Sequence, residues 1–511
     1  MSSNRSLSWY SPIQIRLFLG MAACLVFAFF VAKQIGHSDV KIPLGLLGLG
    51  ALFALMLRLG KKVWLVFAFG MNIDVPAPVA FGKSFTFPEA LCLLVVVQAL
   101  FQMGMRRQYY EVFRFRNTFF LLYCGWVMLV LVMNPIGFAI FGSDVVGGRF
   151  YFQLFLVTIV FLILASGEVD EKSARWFILL NLFSTIINTI YWAHAWRPMD
   201  MSFDGAAGEE DYYSWHQVLA IPGSVAVKFL FAHYSLNYFL SLTGMRWIPV
   251  IVGAYVVILL SGKRMAVATA VATPFFTTLM RKQWALGVMA AVSVAVSALI
   301  LAQGQGRFYE LPMTVQRAIS YLPGKWKPAA DLGAEDPYRK TLRDEAMDRI
   351  RQHPFIGRGI SVSVNDYWVD RIIGSEQITG NLAGGSWHTT WLGYSADFGI
   401  PAAFFWGFIL IQMTILSCRV ARGFPEGTLL KTMSGFILIT LCSLWMNSWT
   451  SGHSVQDPLN YWWLFALLFP LQRKLVEVKR EQEVMKLRAQ LQEARKSAGF
   501  PGFVQHTSKP S

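Results

Sequence analysis

The sequence has few charged residues and few cysteines. Only 15% of its 511 residues are charged, whereas 55% are hydrophobic. A soluble protein of this length would carry about 25% charged residues, so a soluble globular fold is excluded. The five cysteines lie in or beside apolar runs, and no two of them have the spacing of a metal site. We expect them to be small buried apolar side chains.

Motifs that bind metals or nucleotides are also missing. The sequence has no cluster of histidine and cysteine, no Asp-x-Asp and no glycine-rich phosphate loop between a strand and a helix. We therefore expect no metal, no cofactor and no nucleotide-sugar substrate. The net charge of +15 does not indicate nucleic acid, because the basic residues are concentrated in short loops between apolar runs.

Those apolar runs are the main feature that is present. They predict an all-α polytopic membrane protein with about 12–14 transmembrane helices and a large, partly helical periplasmic loop. The apolar windows are 16–33, 42–58, 60–73, 88–104, 117–133, 149–166, 173–194, 217–240, 246–261, 264–280, 284–302, 397–416, 428–448 and 458–471. This divides the chain into eleven spans (1–302), a periplasmic loop domain (303–396), three spans (397–471) and a cytoplasmic tail (472–511). The tail is a charged helix, expected to lie against anionic lipid, followed by a disordered end.

The distribution of lysine and arginine predicts the orientation. Among the short loops, one alternate set carries about twice as many basic residues as the other set, and the richer set is expected to be cytoplasmic. Both termini are then cytoplasmic, and loops 195–216 and 303–396 face the far side. In the inner membrane of a bacterium that side is the periplasm.

Several basic residues in and around the far-side loops are candidates for binding a lipid diphosphate. A guanidinium group binds phosphate oxygens in two-pronged fashion and stays charged at any cellular pH. The alternative for each residue is a solvated or snorkelling charge. The candidates are Arg197, Lys263, Arg264, Arg307, Arg339 and Arg358. Arg264 stands out because it lies at the end of a span on the side with fewer basic residues.

His388 is the candidate general base. It precedes the apolar run that begins at 397 and follows the bend-forming residues Gly384 and Gly385. An imidazole with a pKa of about 6.5 can accept a proton from a sugar hydroxyl at neutral pH. A buried structural histidine is the alternative. Lys228 lies within a predicted span, where an ionisable residue indicates function, but the sequence does not assign its role.

Five short motifs resemble the bacterial O-antigen ligase and O-antigen polymerase (Wzy-type) superfamily. Four of them lie in the far-side loop or at the start of the span that follows it, and one lies at the start of an earlier span. The motifs are Ser-Gly-Lys-Arg-Met-Ala (261–266), Arg339, Pro-Phe-Ile-Gly-Arg-Gly (354–359), His-Thr-Thr-Trp-Leu (388–392) and Asp-Phe-Gly-Ile-Pro (397–401). The sequence departs from the family pattern at Lys263, Thr389 and Asp397, where serine, asparagine and glutamate are usual.

The resemblance implies a helical membrane glycosyltransferase that acts at the periplasmic face. Its donor would be an undecaprenyl-diphosphate-linked oligosaccharide, and neither metal nor cofactor would be needed. Arg264, with Arg339 or Arg358, would hold the diphosphate. Asp397 would be a further residue that binds the substrate, at the diphosphate or at the glycan. His388 would deprotonate the acceptor hydroxyl, and the anomeric centre would invert. Membrane lipids and a chain-length regulator are the other expected partners, and nucleic acid is not one.

Polymerisation of repeat units for exopolysaccharide, capsule or O-antigen is the favoured reaction. Transfer to lipid A core or to protein by an O-antigen ligase is the first alternative, and the departures from the family pattern leave both open. A lipid-linked oligosaccharide flippase is an alternative of another class, which the many spans and Lys228 would suit. A cell-wall glycan polymerase of the shape-and-division class ranks below these, since its periplasmic carboxylate motif is not evident.

Overall fold

The computed structural model describes residues 41–73, 87–105, 118–134, 148–196, 216–326, 337–360, 387, 389–450 and 456–497. Within these ranges 84% of the residues are helical and none forms a strand, so the predicted all-α class is confirmed. The helices are α1 (Lys41–Leu59), α2 (Leu65–Gly70), α3 (Phe87–Gly104), α4 (Thr118–Met133), α5 (Gly148–Ala165), α6 (Glu171–Trp196), α7 (Ala220–His233), α8 (Leu236–Phe239), α9 (Leu242–Met245), α10 (Ile248–Leu260), α11 (Arg264–Arg281), α12 (Trp284–Gly304), α13 (Met313–Ile319), α14 (Pro337–Gln352), α15 (Thr390–Phe398), α16 (Ile400–Gly423), α17 (Leu429–Thr450) and α18 (Gln456–Ser497). Two 3₁₀ turns occur at Gly60–Lys62 and His216–Leu219.

Many of these helices have the length and composition of membrane spans. Within the described ranges, five stretches are long and apolar enough to cross a membrane: Phe87–Gly104, Leu242–Leu260, Trp284–Gly304, Ile400–Gly423 and Leu429–Thr450. Three shorter apolar helices are Thr118–Met133, Tyr151–Ala165 and Ala220–His233. The chain is therefore a polytopic membrane protein, as the sequence predicts. The predicted window 16–33 lies outside the described residues.

One end of the helix bundle is held by ion pairs, and we call it the basic end. Lys61 Nζ lies 3.1 Å from Glu168 Oε1, and Lys62 Nζ lies 2.6 Å from Asp170 Oδ2. The Lys62 ammonium holds the pKa of Asp170 below its usual value. Arg473 Nη2 donates to the carbonyls of Ala165 and Gly167 at 2.8 and 2.7 Å, and the Leu429 N–H donates to Glu171 at 2.9 Å. Loops that the basic-residue pattern assigns to one side therefore meet at one end.

Helices α11 and α16 run parallel between this end and the opposite one. The Arg281 Nε atom lies 3.3 Å from Glu426 Oε2, and Arg422 Nε donates to the Leu279 carbonyl at 2.6 Å. Because both helices finish here, both start at the other end. At 1.5 Å per residue their lengths are about 27 and about 36 Å, enough to reach across a bilayer core. We call the end that holds Arg264 and Ile400 the site end.

Two predicted windows do not form the membrane-length helices that the sequence suggests. In 60–73 the ion pairs of Lys61 and Lys62 hold a 3₁₀ turn at the basic end, and only the buried six-residue helix α2 follows. In 217–240 helix α7 ends at His233. There the Arg281 guanidinium donates to the carbonyls of residues 231–234, each at 2.9 Å, which satisfies the open end of the helix.

Large aromatic rings form the core that supports the site end. Trp462 of α18 packs against Phe120 of α4 and Phe161 of α5, and lies parallel to Trp406 of α16. Tyr394 of α15 joins this group, with its ring centroid 5.2 Å from that of Trp406. Since aromatic pairs bury large areas and have preferred geometries, they fix α15 on the bundle.

Helix α18 does not end where its apolar window ends at 471. It continues unbroken through the charged sequence to Ser497, and residues 479–494 are exposed. The charged sequence after 471 therefore continues the last apolar helix.

Candidate functional site

Two of the motifs that are about forty residues apart in sequence are joined by backbone hydrogen bonds. The turn at 354–359 lies against the junction between α15 and α16. The Arg358 N–H donates to the Ala396 carbonyl at 3.2 Å, and the Gly359 N–H donates to the Asp397 carbonyl at 2.8 Å. In return, the Ile400 N–H donates to the Pro354 carbonyl at 2.9 Å. The turn and the junction therefore form one structural unit.

This unit requires glycine at two positions. Gly357 has φ +72°, and a Cβ atom there would lie 2.5 Å from the Asp397 carbonyl oxygen. Gly399 has φ +83° and ψ 162°, and its Cβ would lie 1.9 Å from the Phe355 carbonyl oxygen. Both the backbone conformation and the close approach exclude a side chain.

Side chains from α4 and α5 hold the unit from the bundle side. Trp126 Nε1 donates to the Phe398 carbonyl at 2.8 Å, and Asn134 Nδ2 lies 3.5 Å from the Gly357 carbonyl. The Tyr151 ring contacts Phe398 edge-on, with ring centroids 6.0 Å apart. These contacts fix the start of α16, and with it the C-terminal boundary of the large loop.

Asp397 is fully buried behind this unit, with 0% exposure. Its Oδ2 atom accepts a hydrogen bond from Trp387 Nε1 at 3.0 Å. The same indole also contacts Arg349 of α14, whose Cζ atom lies over the ring at 5.0 Å from its centroid. Asp397 is thus placed to orient Trp387, and its part in binding the diphosphate or the glycan stays a prediction.

Arg264 stands at the first position of α11, directly after a turn that Gly262 forms with φ +68°. Its Nε atom donates to the Arg317 carbonyl at the end of α13, at 3.0 Å. Helix α13 packs against α10 and α11, so this bond fixes the arginine against the first structured part of the far-side loop. The half-buried guanidinium lies at the same end of the bundle as the 354–359 turn.

The other predicted site residues have different positions. Arg307 and Arg358 are exposed, and their side chains have no hydrogen-bond or ion-pair partner in the described part of the chain. Lys263 is exposed beside Arg264. Arg339 lies in the first turn of α14, but its side chain falls outside the described residues, as do Arg197 and His388. The chain on both sides of His388 is described, and Trp387 and Thr390 are both buried.

Sequence reasoning missed Arg349. Among the apolar residues of α14, Leu342 is buried whereas Met347 is exposed. The buried positions are Leu342, Ala346 and Arg349, at the i, i+4, i+7 spacing of one helix face. That spacing was the available signal, since it places an arginine on the buried face.

No group of three or more histidine, cysteine, aspartate or glutamate residues in the described ranges is arranged to hold a metal ion. The site end instead offers cations. Arg264, Arg307 and Arg358 can donate hydrogen bonds to anionic oxygens, as guanidinium groups do with phosphates.

Comparison with known proteins agrees with this arrangement. Residues 249–407 match the family model described as O-antigen ligase. No curated protein matches the chain. The matched range runs from α10 into α16 and includes Arg264, the 354–359 turn and Asp397. Members of this family are glycosyltransferase-like enzymes, and the family and the apolar helices together indicate a bacterial membrane protein. Over residues 249–407, this chain matches the O-antigen ligase family, and that match supports the resemblance to the O-antigen ligase and O-antigen polymerase superfamily.

Proposed function

We propose that this protein polymerises oligosaccharide repeat units carried on undecaprenyl diphosphate, at the periplasmic face of a bacterial inner membrane. The observation that carries the proposal is the junction at the site end. There the 354–359 turn is bonded to residues 396–400, beside the chain that holds His388 and at the same end of the bundle as Arg264.

The proposed reaction is an inverting glycosyl transfer. The acceptor hydroxyl oxygen attacks the anomeric carbon as the bond from that carbon to the diphosphate oxygen breaks. The bonding electron pair leaves with undecaprenyl diphosphate, and the hydroxyl proton passes to His388. Because the leaving group is already good, the protein mainly positions the two substrates and stabilises the negative charge that develops on the diphosphate.

The cations have separate parts in this proposal. Arg264, held by the Arg317 carbonyl, would stabilise the developing charge on the diphosphate. Arg358 and Arg307, exposed and unpaired in the described part of the chain, would bind the head group, together with Lys263, Arg339 and Arg197. Guanidinium groups suit this task because they present several fixed donors and do not lose their charge.

The test is an assay with purified protein and lipid-linked repeat units, without added metal and with chelator present. We expect a ladder of elongated products from the parent protein and none from His388→Ala. Strict dependence on added magnesium would contradict the arginine-based mechanism. A His388→Ala variant that also blocks translocation of the lipid-linked unit in cells would favour a flippase instead.

Ligation is the second candidate, because the matching family model carries the description O-antigen ligase. The two reactions differ in the acceptor. The same assay is therefore run with a second lipid-linked unit and, separately, with lipid A core. A ladder with the first acceptor supports polymerisation, and a single transfer confined to lipid A core supports ligation.

A further inference from the structure

Arg349 is an arginine whose burial the fold does not require. Its side chain is 6% exposed, although it belongs to α14, a helix within the far-side loop. Its Nε atom lies 2.9 Å from Glu345 Oε1, one turn earlier, and its Nη1 atom is buried without a hydrogen-bond partner in the described ranges. A buried donor without an acceptor is unfavourable, so the position calls for an explanation other than stability.

An apolar residue would serve stability as well or better. A buried charge is costly because it loses its water, and Glu345, which is 39% exposed, stays solvated without Arg349. The face of α14 around Arg349 already carries the buried residues Leu342 and Ala346. Arg349 is therefore better explained by what its charge does to a neighbour.

That neighbour is Trp387, the residue that directly precedes His388. The guanidinium carbon of Arg349 lies 5.0 Å from the centroid of the Trp387 ring, within the range of a cation–π contact. The indole N–H donates to the Asp397 carboxylate at 3.0 Å. A cation at the ring withdraws electron density from the indole and makes its N–H a stronger donor, so the two contacts reinforce each other.

The chain after His388 is fixed as well. Thr389 has an extended backbone, with φ −151° and ψ 114°, and α15 starts at the buried Thr390. The Asp397 that holds Trp387 lies on the same helix and accepts the Gly359 N–H through its carbonyl. Trp387 precedes His388 and Thr390 follows it two residues later. Both are buried, and both are connected to the unit formed by the turn and the junction, Trp387 through Asp397 and Thr390 through α15.

We propose that Arg349 is a positioning residue. It holds the Trp387 indole against Asp397 and thereby fixes the residue that directly precedes His388, the proton acceptor of the proposed reaction. The catalytic part of this inference rests on the proposed function, whereas the positioning part does not. Since a misplacement of about 1 Å can cost about a hundredfold in rate, loss of Arg349 should act on turnover and leave substrate binding largely unchanged.

The test compares Arg349→Met with Arg351→Met. Arg351 lies on the same helix, is 74% exposed and pairs with Asp348, so its loss removes a charge without touching Trp387. The first readout is hydrogen–deuterium exchange in the peptide that spans 387–392. We expect faster exchange in Arg349→Met, parent-like exchange in Arg351→Met, and an unchanged unfolding midpoint in both. Parent-like exchange in Arg349→Met would overturn the inference, whatever reaction the protein catalyses.

The second readout is kinetic. With lipid-linked repeat units, Arg349→Met should lose about tenfold to a hundredfold in kcat with little change in KM. Arg349→Lys, which keeps a cation, should recover part of the loss. Trp387→Phe keeps an aromatic ring but loses the indole N–H. The double variant Arg349→Met with Trp387→Phe should lose no more kcat than the worse single variant, because both changes act through one contact. Two results together would show a merely structural role and overturn the inference. They are a lowered unfolding midpoint in both Arg349→Met and Arg349→Lys, and losses of kcat in Arg349→Met and Trp387→Phe that add up in the double variant. If the parent protein transfers no glycan while exchange responds as expected, the proposed function fails and the positioning role stands.

Discussion

Substitution of Gly399 by alanine should disconnect the 354–359 turn from the start of α16. Gly399 has φ +83° and ψ 162°, a backbone conformation that is almost confined to glycine and costs a residue with a side chain about 1–3 kcal/mol. In addition, the new Cβ would lie 1.9 Å from the Phe355 carbonyl oxygen, so the backbone of the turn must move. That movement breaks the hydrogen bond from the Ile400 N–H to the Pro354 carbonyl and strains its neighbours, at about 1 kcal/mol for each bond lost.

Gly427 provides a matched control for this experiment. It also has a positive φ, +79°, but a Cβ at this position would have no other atom within 4 Å. Gly427→Ala therefore tests the cost of the conformation alone, and the difference between the two variants tests the close approach. We expect Gly399→Ala to be less stable than Gly427→Ala by about 1 kcal/mol, from the hydrogen bond between Ile400 and Pro354 that only the first variant loses.

The assay is thermal unfolding of the purified protein in detergent, together with the transfer of lipid-linked units. Gly399→Ala should lose at least tenfold in transfer rate, because the turn that carries Arg358 no longer meets α15. Gly427→Ala, at the basic end, should retain parent activity. Equal stability and equal activity of the two variants would refute the reasoning, since the contact between the turn and the junction would then be dispensable.

Three further predictions concern the two ends of the bundle. Arg264→Lys removes the donor to the Arg317 carbonyl and, in the proposed mechanism, the two-pronged hold on the diphosphate. We therefore expect kcat to fall about tenfold or more, and a parent-like kcat would contradict the role of Arg264. Arg281→Met leaves the carbonyls of 231–234 without their donor and should lower the free energy of unfolding by about 3 kcal/mol, whereas a change near zero would mean that water replaces the guanidinium. Neighbouring cations hold the pKa of Glu426 below its ordinary value, so its stabilising contribution is present at neutral pH and is lost as the pH falls below about 4.3. The unfolding midpoint of Glu426→Gln should therefore depend less on pH in this acid range than that of the parent protein, and identical profiles would contradict the assignment.

The parts of this fold that the sequence predicts well are those with a local cause. Apolar windows 284–302 and 428–448 became helices Trp284–Gly304 and Leu429–Thr450 because hydropathy reports membrane burial directly. Helix Pro337–Gln352 ends two residues before Pro354, because proline has no backbone N–H and cannot continue a helix. The window 60–73 was wrong because its fate depends on ion pairs with residues about a hundred positions away.

The site was predictable only in part, for the same reason. The motifs at 354–359 and 397–401 were recognisable one by one, but their mutual hydrogen bonds connect residues about forty positions apart and leave no trace in local composition. Arg349 looked like one of several charges on a polar helix. Its spacing from Leu342 and Ala346 places it on the buried face of the helix, but its contact with Trp387, thirty-eight residues later, is visible only in the fold.

The two ends of the bundle use positive charge differently, and this difference supports an anionic ligand at the site end. At the basic end Lys61, Lys62 and Arg281 each have a carboxylate within 4 Å, so their charge is largely used within the protein. At the site end the unit is held by backbone hydrogen bonds and close glycine contacts instead, which need no cation. Arg307 and Arg358 are exposed there without a partner in the described part of the chain. Since these exposed cations take no part in holding the unit together, we infer that their counter-charge comes from the substrate.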